Sequence, residues 1–350
     1  MQNHAAMGLL LSFDLPVAFL LFFVSSVFIA IGGTALTREA DKLADLTGMG
    51  EALVGAIFLG GITSLSGIVM SVTAAAENHP QLSISNAIGG IAAQTAFLAI
   101  ADITYRKANL EHAAASLSNV MQGLLLICIL VLTLIFNGLP PVTLFQIHPV
   151  TILIILFYLL GQRLISKSQE QPMWRAVKTI ETKMDVPDDK NIKNYKLGPV
   201  VIQFVLLGIL IAVSGYVLAQ SSIVISEETG LSEAVVGALF TAVASSLPEL
   251  IVSVSAVRQG ALTLAVSNVI GGNTFDVLFV SFSDVAYREG SIYHTFQPSQ
   301  EFTIYLTLLL TGVLTLGLLY REKRGIAGIG WESLSILILF VIGYSILFFI

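Results

Sequence analysis

Long blocks of apolar residues, separated by shorter polar segments, dominate the pattern along the chain. An apolar stretch of about 18 or more residues is long enough to cross a hydrocarbon layer of roughly 30 Å as a helix. The ten blocks that meet this test cover residues 13 to 35, 50 to 76, 82 to 105, 117 to 138, 148 to 166, 198 to 220, 232 to 257, 262 to 285, 301 to 320 and 331 to 350. The blocks are apolar on every side and do not alternate with a period of two, so they predict an all-α polytopic membrane protein with ten transmembrane helices rather than a β-barrel.

Composition agrees with this pattern and excludes several classes of protein. Hydrophobic residues make up 55% of the chain and charged residues only 11%, whereas charged residues approach about a quarter of a water-soluble domain. The N-terminus has no basic flank or small-residue cleavage site, so the first block predicts a retained helix. Cys128 is the single cysteine, which excludes an internal disulfide or a thiolate metal cluster.

The distribution of Lys and Arg predicts an orientation in the membrane. If the N-terminus is outside, ten helices place all of the 17 basic residues except Arg288 on the cytoplasmic side. Because cytoplasmic loops carry an excess of Lys and Arg, this distribution supports the helix count and predicts that both termini are outside. We expect an integral protein of the plasma (cell inner) membrane.

The polar segment at 166–197 divides the chain into two halves of five helices each. It carries alternating charges around Pro172 and Pro187 and is predicted to be a cytoplasmic linker loop. The predicted first half is 1–165 and the predicted second half is 198–350.

An internal repeat relates the two halves. Residues 51–102 align without a gap onto residues 233–284, at a constant offset of 182, with 19 identities in 52 positions. Because five helices per half is an odd number, the second half must enter the membrane from the opposite side to the first. Inverted repeats of this kind allow two pseudo-symmetric states, open to either side around a site near the bilayer midplane, which is the basis of alternating access.

Two carboxylates lie in the middle of predicted helices of the second repeat. Glu249 follows Ser245, Ser246 and Pro248, and Asp276 ends the segment GGNTFD. A carboxylate at the bilayer midplane is costly unless it is balanced, so each residue is a functional candidate. Carboxylates, hydroxyls and carbonyls form an all-oxygen environment of the kind that suits Na⁺ and Ca²⁺.

The first repeat offers matching polar residues but no carboxylate. Gly67 stands at the equivalent of Glu249, and Gln94 at the equivalent of Asp276. The predicted site therefore has a formal charge near −2, which one divalent cation would neutralise. The predicted ion-binding residues are Glu249, Asp276, Ser245, Ser246, Thr63, Ser64 and Gln94, with Glu249 and Asp276 as the metal ligands.

A further set of residues is predicted to support the site through helix packing or a second layer of hydrogen bonds. Asn86 and Asn268 occupy equivalent positions before glycine pairs, where an interhelical hydrogen bond would hold the site. The supporting residues are Asn86, Asn268, Gly67, Gly89, Gly90, Gly271, Gly272, Pro248 and Asn273. Asp102 and Asp284 lie near helix ends, and we interpret them as solvated interfacial residues.

The motifs SSLPEL at 245–250 and SNVIGGNTFD at 267–276, with a degenerate copy five helices earlier, resemble the α-repeats of the cation/Ca²⁺ exchanger superfamily. The resemblance covers both repeats and most of the chain. It implies ten helices in two inverted halves and the exchange of Ca²⁺ for Na⁺ or H⁺. It also implies that Glu249 is an ion-binding Glu and that Asp276 closes the second motif.

This chain departs from the family pattern at Gly67, where the family usually has its other Glu, and at Gln94, where it often has Asn. Three interpretations follow: an altered exchanger that moves Ca²⁺, an exchanger of other cations including H⁺, or a member whose transport has decayed. Of these we favour a secondary-active cation antiporter in the lipid bilayer that transports Ca²⁺ in exchange for Na⁺ or H⁺. We expect no cofactor, no nucleic-acid partner and a monomer that is sufficient for transport.

Two hypotheses from other classes can be compared with this one. An intramembrane aspartyl protease needs a Gly-x-Gly-Asp turn, which the chain does not contain, so we do not expect an enzyme. A channel or a non-transporting sensor on the same scaffold stays open, and dependence on a counter-ion would separate it from an antiporter.

Overall fold

The computed structural model describes residues 14–47, 61–105, 109–140, 142–170, 174, 177, 196–260, 262–323, 325 and 329–350. Within these residues every regular element is a helix, and the sole β-type contact is an isolated bridge between Leu144 and Ile147. The predicted all-α class is confirmed.

The described helices follow the predicted apolar blocks closely. They are α1 (Leu15–Thr47), α2 (Leu65–Ala76), α3 (Pro80–Thr104), α4 (Leu110–Ala113), α5 (Leu117–Asn137), α6 (Pro149–Glu170), α7 (Leu197–Thr229), α8 (Glu233–Ser245), α9 (Leu247–Gln259), α10 (Leu262–Asp276), α11 (Leu278–Ala286), α12 (Pro298–Tyr320) and α13 (Trp331–Leu347). The largest differences are at the ends of α1 and α7, which continue well past residues 35 and 220. An apolar block marks the part of a helix that can lie in hydrocarbon, and polar residues can extend the helix beyond it.

Seven described spans are long and apolar enough to cross a membrane, with α10 and α11 together (Leu262–Ala286) counted as one of them, and the bent pair α8 and α9 would make an eighth span. Helices α2 and α13 are apolar but shorter, with 12 and 17 residues. Residues 48–60, which belong to the predicted second span, lie outside the described part of the chain. The count of ten helices therefore stays a prediction.

The constant offset found in the sequence also relates helices outside the aligned repeat. Helices α1 and α7 each have 33 residues, and the same offset separates their first residues, Leu15 and Leu197, and their last residues, Thr47 and Thr229. The two helices pack along each other. The equivalence between the halves therefore reaches beyond residues 51–102 and 233–284.

Asp102 and Asp284 are buried, and the interpretation as solvated interfacial residues is wrong. The Asp102 carboxylate accepts hydrogen bonds from the backbone N–H of Leu110 (2.7 Å) and of Gly330 (3.2 Å). The Asp284 carboxylate accepts from the N–H groups at the equivalent positions of the other half, those of Ile292 (2.9 Å) and His148 (2.8 Å). Each Asp thus satisfies backbone donors at the start of neighbouring segments, which explains its burial.

Helix α3 lies at the centre of the packing, with 83% of its span buried. It contacts α2, α8, α9, α10, α12 and α13. Small residues permit this crowding. A Cβ atom on Gly89 would lie 2.5 Å from Cα of Ala238, and one on Gly237 would lie 2.7 Å from Cβ of Ser85, so the backbones of α3 and α8 touch. The contacting part of α8 is a π-helical segment, Val236–Thr241.

The contact between α3 and α8 ends in a polar pair. His79 Nδ1 lies 2.7 Å from Glu233 Oε1, and Glu233 Oε2 accepts the N–H of Leu82 at 2.9 Å. The hydrogen bond with Glu233 raises the pKa of His79 above its ordinary value, against the opposing effect of burial. The pair therefore connects the start of α3 to the start of α8 more strongly when His79 is protonated.

We predict that His79→Gln lowers the melting temperature of the purified protein in acid more than in alkali. A raised folded-state pKa gives stability that is fully present below about pH 6.5 and is lost as the pH rises through the folded-state value. For a partly exposed pair the effect is about 0.5–1 kcal/mol. Thermal unfolding between pH 5.5 and pH 9 measures it.

Gln81→Ala is the matched control, because Gln81 donates to the Thr295 carbonyl nearby and does not titrate. Its effect should be the same at every pH. A cost of His79→Gln that stays constant or grows toward high pH would contradict the assignment.

Candidate functional site

The helical backbone is interrupted at two equivalent positions, one in each repeat. Ser64 precedes α2 with φ −92° and ψ 11°, and Ser246 lies between α8 and α9 with φ −97° and ψ 6°. The axes of α8 and α9 differ by 45°. Pro248 follows the second interruption, and its missing N–H and its ring explain why the helix bends there.

Asp276, at the end of α10, connects the two repeats through hydrogen bonds. Its Oδ1 accepts from Ser64 Oγ at 2.5 Å and its Oδ2 accepts from Gln94 Nε2 at 2.6 Å. Gln94 Nε2 also lies 3.3 Å from Ser246 Oγ. The repeat alignment exchanges Ser64 with Ser246 and Asp276 with Gln94, so the two serine contacts are equivalents of each other.

Glu249 lies in the first turn of α9, directly after the bend, and its side chain is buried, with 4% exposed. Its Oε2 atom has no hydrogen-bond donor within the described residues, and the same holds for Oε1 of Gln94. Both are acceptor atoms, and the side-chain nitrogen of Gln94 already points at Asp276. A bound cation would satisfy two such buried acceptors.

A small cavity collects most of the predicted ion-binding residues. Its free volume is about 10 Å³, room for about one water-sized particle. Of the residues predicted to bind ions it is lined by Glu249, Asp276, Ser245, Ser246, Ser64 and Gln94, and of the supporting residues by Asn86, Gly67 and Gly90. None of the described lining residues is basic.

Thr63 is half-buried and does not line the cavity. Successive residues of a helix point about 100° apart, so the side chains of Thr63 and Ser64 face different directions. The bend beside Ser246 brings both Ser245 and Ser246 to the cavity instead.

Asn86 lies at the cavity and connects the first repeat internally. Its Nδ2 donates to Ser71 Oγ at 2.8 Å, and its Oδ1 lies 3.4 Å from Ser245 Oγ. Its equivalent Asn268 is half-buried and does not line the cavity. Ser253, the equivalent of Ser71, has no hydrogen-bond partner in the described part of the chain. The two halves therefore differ around these residues.

The other supporting residues lie around the cavity and do not line it. Gly89 contacts α8, and Pro248 packs beside Gly33 of α1. Gly271 and Gly272 face the amides of Gln122 and Gln94, so they make space for side chains rather than for a neighbouring helix backbone. Asn273 Nδ2 donates to Thr95 Oγ1 at 3.0 Å.

Sequence reasoning missed one lining residue, Phe279, on α11. Its ring lies beside Gly67, which has no side chain. A phenylalanine inside an apolar block carries no sign of a polar site. The sequence offered only an indirect signal for Phe279. The predicted site lacks a first-repeat carboxylate at position 67, so another group must fill the space that this side chain would occupy.

A larger groove of about 550 Å³ lies elsewhere, between the end of α3 and the outer face of α9. It runs from Ile100 past Val254 to Arg258 and includes no carboxylate. The small central cavity is therefore the site with cation-binding chemistry.

The donor set of the central cavity fits a hard cation. It consists of carboxylate, hydroxyl and amide oxygens, which Na⁺ and Ca²⁺ prefer. No group of three or more His, Cys, Asp or Glu residues that could hold a metal is present among the described residues. The two carboxylates therefore depend on hydroxyl and amide oxygens to complete the ligand set.

Comparison with known proteins defines the class. The sequence model of the family described as "Sodium/calcium exchanger protein" matches residues 17–163 and 199–349. The chain belongs to the sodium/calcium exchanger family and is an integral membrane protein of the cation/Ca²⁺ exchanger superfamily.

Curated relatives match over part of their length. The chain is 29% identical over 155 residues to the sodium/calcium exchanger MaX1 of Methanosarcina acetivorans, which is 43% of this chain and 41% of the relative. It is 31% identical over 150 residues to the putative antiporter CaxA of Alkalimonas amylolytica, which is 42% of this chain and 44% of the relative. These matches span less than half the length of each relative.

Solved structures share the fold over nearly the whole chain. YfkE matches with a TM-score of 0.66 and 14% identity, covering 96% of this chain and 97% of that one. The H⁺/Ca²⁺ exchanger CAX matches with a TM-score of 0.66 and 15% identity, covering 94% and 84%. The sodium-calcium exchanger NCX_Mj matches with a TM-score of 0.59 and 17% identity, covering 94% and 98%.

We predict strong energetic coupling between Gln94 and Asp276. Gln94→Leu removes a donor from a buried carboxylate and should cost about 1–3 kcal/mol of unfolding free energy. In an Asp276→Leu background the same change should cost close to nothing. Reversible unfolding in detergent of the four proteins gives this double-mutant cycle.

Gln81→Leu is the control, because Gln81 bonds to Thr295 outside the cavity and should cost the same in both backgrounds. An equal cost of Gln94→Leu with and without Asp276 would show that the 2.6 Å contact is not formed in the protein.

Proposed function

We propose that the protein is a secondary-active cation antiporter that exchanges Ca²⁺ for Na⁺ or H⁺ by alternating access. Glu249 and Asp276 would bind the transported ion, assisted by Ser64, Gln94, Ser245 and Ser246. The observation that carries the proposal is the pair of buried acceptor atoms without a donor, Glu249 Oε2 and Gln94 Oε1, in one cavity beside Asp276.

Charge supports a divalent ion as cargo. Among the residues that the structure describes, the cavity is lined by two carboxylates and no basic residue, which gives a formal charge of −2 when both are ionised. One Ca²⁺ ion balances that charge with the ligand type it prefers. Two protons would balance it as well, and this is the chemical basis for H⁺ as a counter-ion.

The equivalence of the two halves supports alternating access. We assign residues 1–165 and 198–350 to two inverted five-helix halves joined by a linker at 166–197. The equivalent interruptions at Ser64 and Ser246 both line one cavity, which supports an exchange of conformations between the halves around it. The distribution of Lys and Arg supports an orientation in the plasma membrane in which both termini are outside and the linker is in the cytoplasm.

An exchanger of other cations is the second candidate, and Gly67 favours it. The site has one carboxylate fewer than the family pattern, and a lower charge weakens the preference for a divalent over a monovalent ion. Flux measured with Ca²⁺, Na⁺, K⁺ and H⁺ gradients in turn distinguishes the two. An antiporter requires an ion on the trans side, whereas a channel does not.

We predict that Glu249→Gln reduces Ca²⁺ uptake by proteoliposomes at least about tenfold. The substitution preserves shape but leaves a single carboxylate, which cannot balance a divalent ion at this depth. Uptake of ⁴⁵Ca²⁺ driven by an outward Na⁺ or H⁺ gradient is the measurement.

Glu301→Gln is the matched control. Glu301 lies in the first turn of α12 and accepts a hydrogen bond from Asn137 outside the cavity. Its uptake should equal that of the wild type. Unchanged uptake by a folded Glu249→Gln protein would remove Glu249 from the transport site and contradict the proposal.

A further inference from the structure

The space beside Gly67 is already filled. A Cβ atom on Gly67 would lie 2.6 Å from Cε2 and 3.3 Å from Cζ of Phe279, and real Cβ atoms essentially never approach another atom closer than 3.0 Å. Both residues line the central cavity. A side chain at position 67 therefore cannot enter the cavity unless the phenyl ring moves.

Phe279 belongs to a group of packed aromatic rings. The ring centroids of Phe279 and Phe275 are 6.3 Å apart with an edge-to-face angle of 77°. Phe275 makes further ring contacts with Tyr158 at 6.0 Å and with Phe282 at 6.3 Å. Phe279 is 3% exposed. Since close-packed interiors yield little, moving the ring would disturb these contacts.

We propose that Phe279 is a specificity-determining residue that occupies the place of a first-repeat side chain and limits the site to one metal cation at a time. This inference rests on the proposed function and states how many ions the same site accepts. Position 67 is equivalent to Glu249, and a residue that reached inward from there would add ligand atoms opposite it. The phenyl ring supplies none.

Volume and charge lead to the same ion number. The volume of about 10 Å³ corresponds to about one water-sized particle, and we expect one metal ion to occupy it. Two carboxylates balance one divalent cation, whereas a third carboxylate would call for an additional positive ion. A single monovalent cation balances only one of the two carboxylates, so the limit on monovalent metal ions comes from the volume alone. They should compete with Ca²⁺ one at a time, with a Hill coefficient near 1.

The steric part of the proposal is tested without any ion. Gly67→Ala adds the single atom that meets the ring and should lower the melting temperature by at least about 3 °C in the wild type. In a Phe279→Ala background the same change should cost less than about 1 °C. Phe282→Ala is the control background, because it removes a ring of the same aromatic group that does not face Gly67. An equal cost in all three backgrounds would overturn the proposal.

The ion-number part is tested by equilibrium binding of ⁴⁵Ca²⁺ to purified protein with increasing Na⁺. We expect displacement with a Hill coefficient near 1 for the wild type and about 1.5 or more for Gly67→Glu combined with Phe279→Ala. A double variant that follows the wild-type curve would overturn the limit to one cation. A wild type that binds no Ca²⁺ contradicts the proposed function instead, and the melting-temperature comparison then still decides whether Phe279 takes the place of a side chain at position 67.

Discussion

The carboxylates of Glu249 and Asp276 share a cavity whose lining, over the described part of the chain, contains no basic residue. Negative charge inside a membrane protein is tolerated when hydrogen bonds or a cation balance it. For Asp276 the balance is partly internal, because Ser64 and Gln94 donate to its two oxygens. For Glu249 one oxygen has no donor in the described part of the protein. The difference between these two carboxylates sets the chemistry of the site, since one is held in place and the other offers a ligand atom.

The surrounding fold places these groups through its repeated architecture. Equivalent serines interrupt helices in each half, and the repeat alignment exchanges the Ser64–Asp276 contact with the Ser246–Gln94 contact. The same alignment relates the backbone donors bound by Asp102 and Asp284. The halves differ at the cavity itself, where Gly67 and Phe279 replace the side chain that the symmetry would place opposite Glu249. Ion number and selectivity would follow from this difference rather than from the shared scaffold.

The sequence predicted the helical class and the composition of the cavity because both follow from strong signals. Apolar blocks long enough to span a bilayer have few alternatives to helices, and a carboxylate such as Glu249 stands out within one. Other features depend on the three-dimensional packing. The direction in which Thr63 points depends on the helix interruption at the next residue, and the burial of Asp102 depends on a backbone N–H from the distant end of the chain, at Gly330. Phe279 is indistinguishable from other apolar residues until its ring is seen beside Gly67.

The most direct measurement of the central claim is the position of a bound divalent cation. Sr²⁺ is a heavier analogue of Ca²⁺ with similar ligand preferences, and its anomalous scattering locates it in crystals of the purified protein. The account predicts one anomalous peak within ligand distance of Glu249 and Asp276, which disappears when Na⁺ is raised or when Glu249 is replaced by Gln. A strong peak elsewhere with none in the central cavity, or two peaks within that cavity, would contradict it.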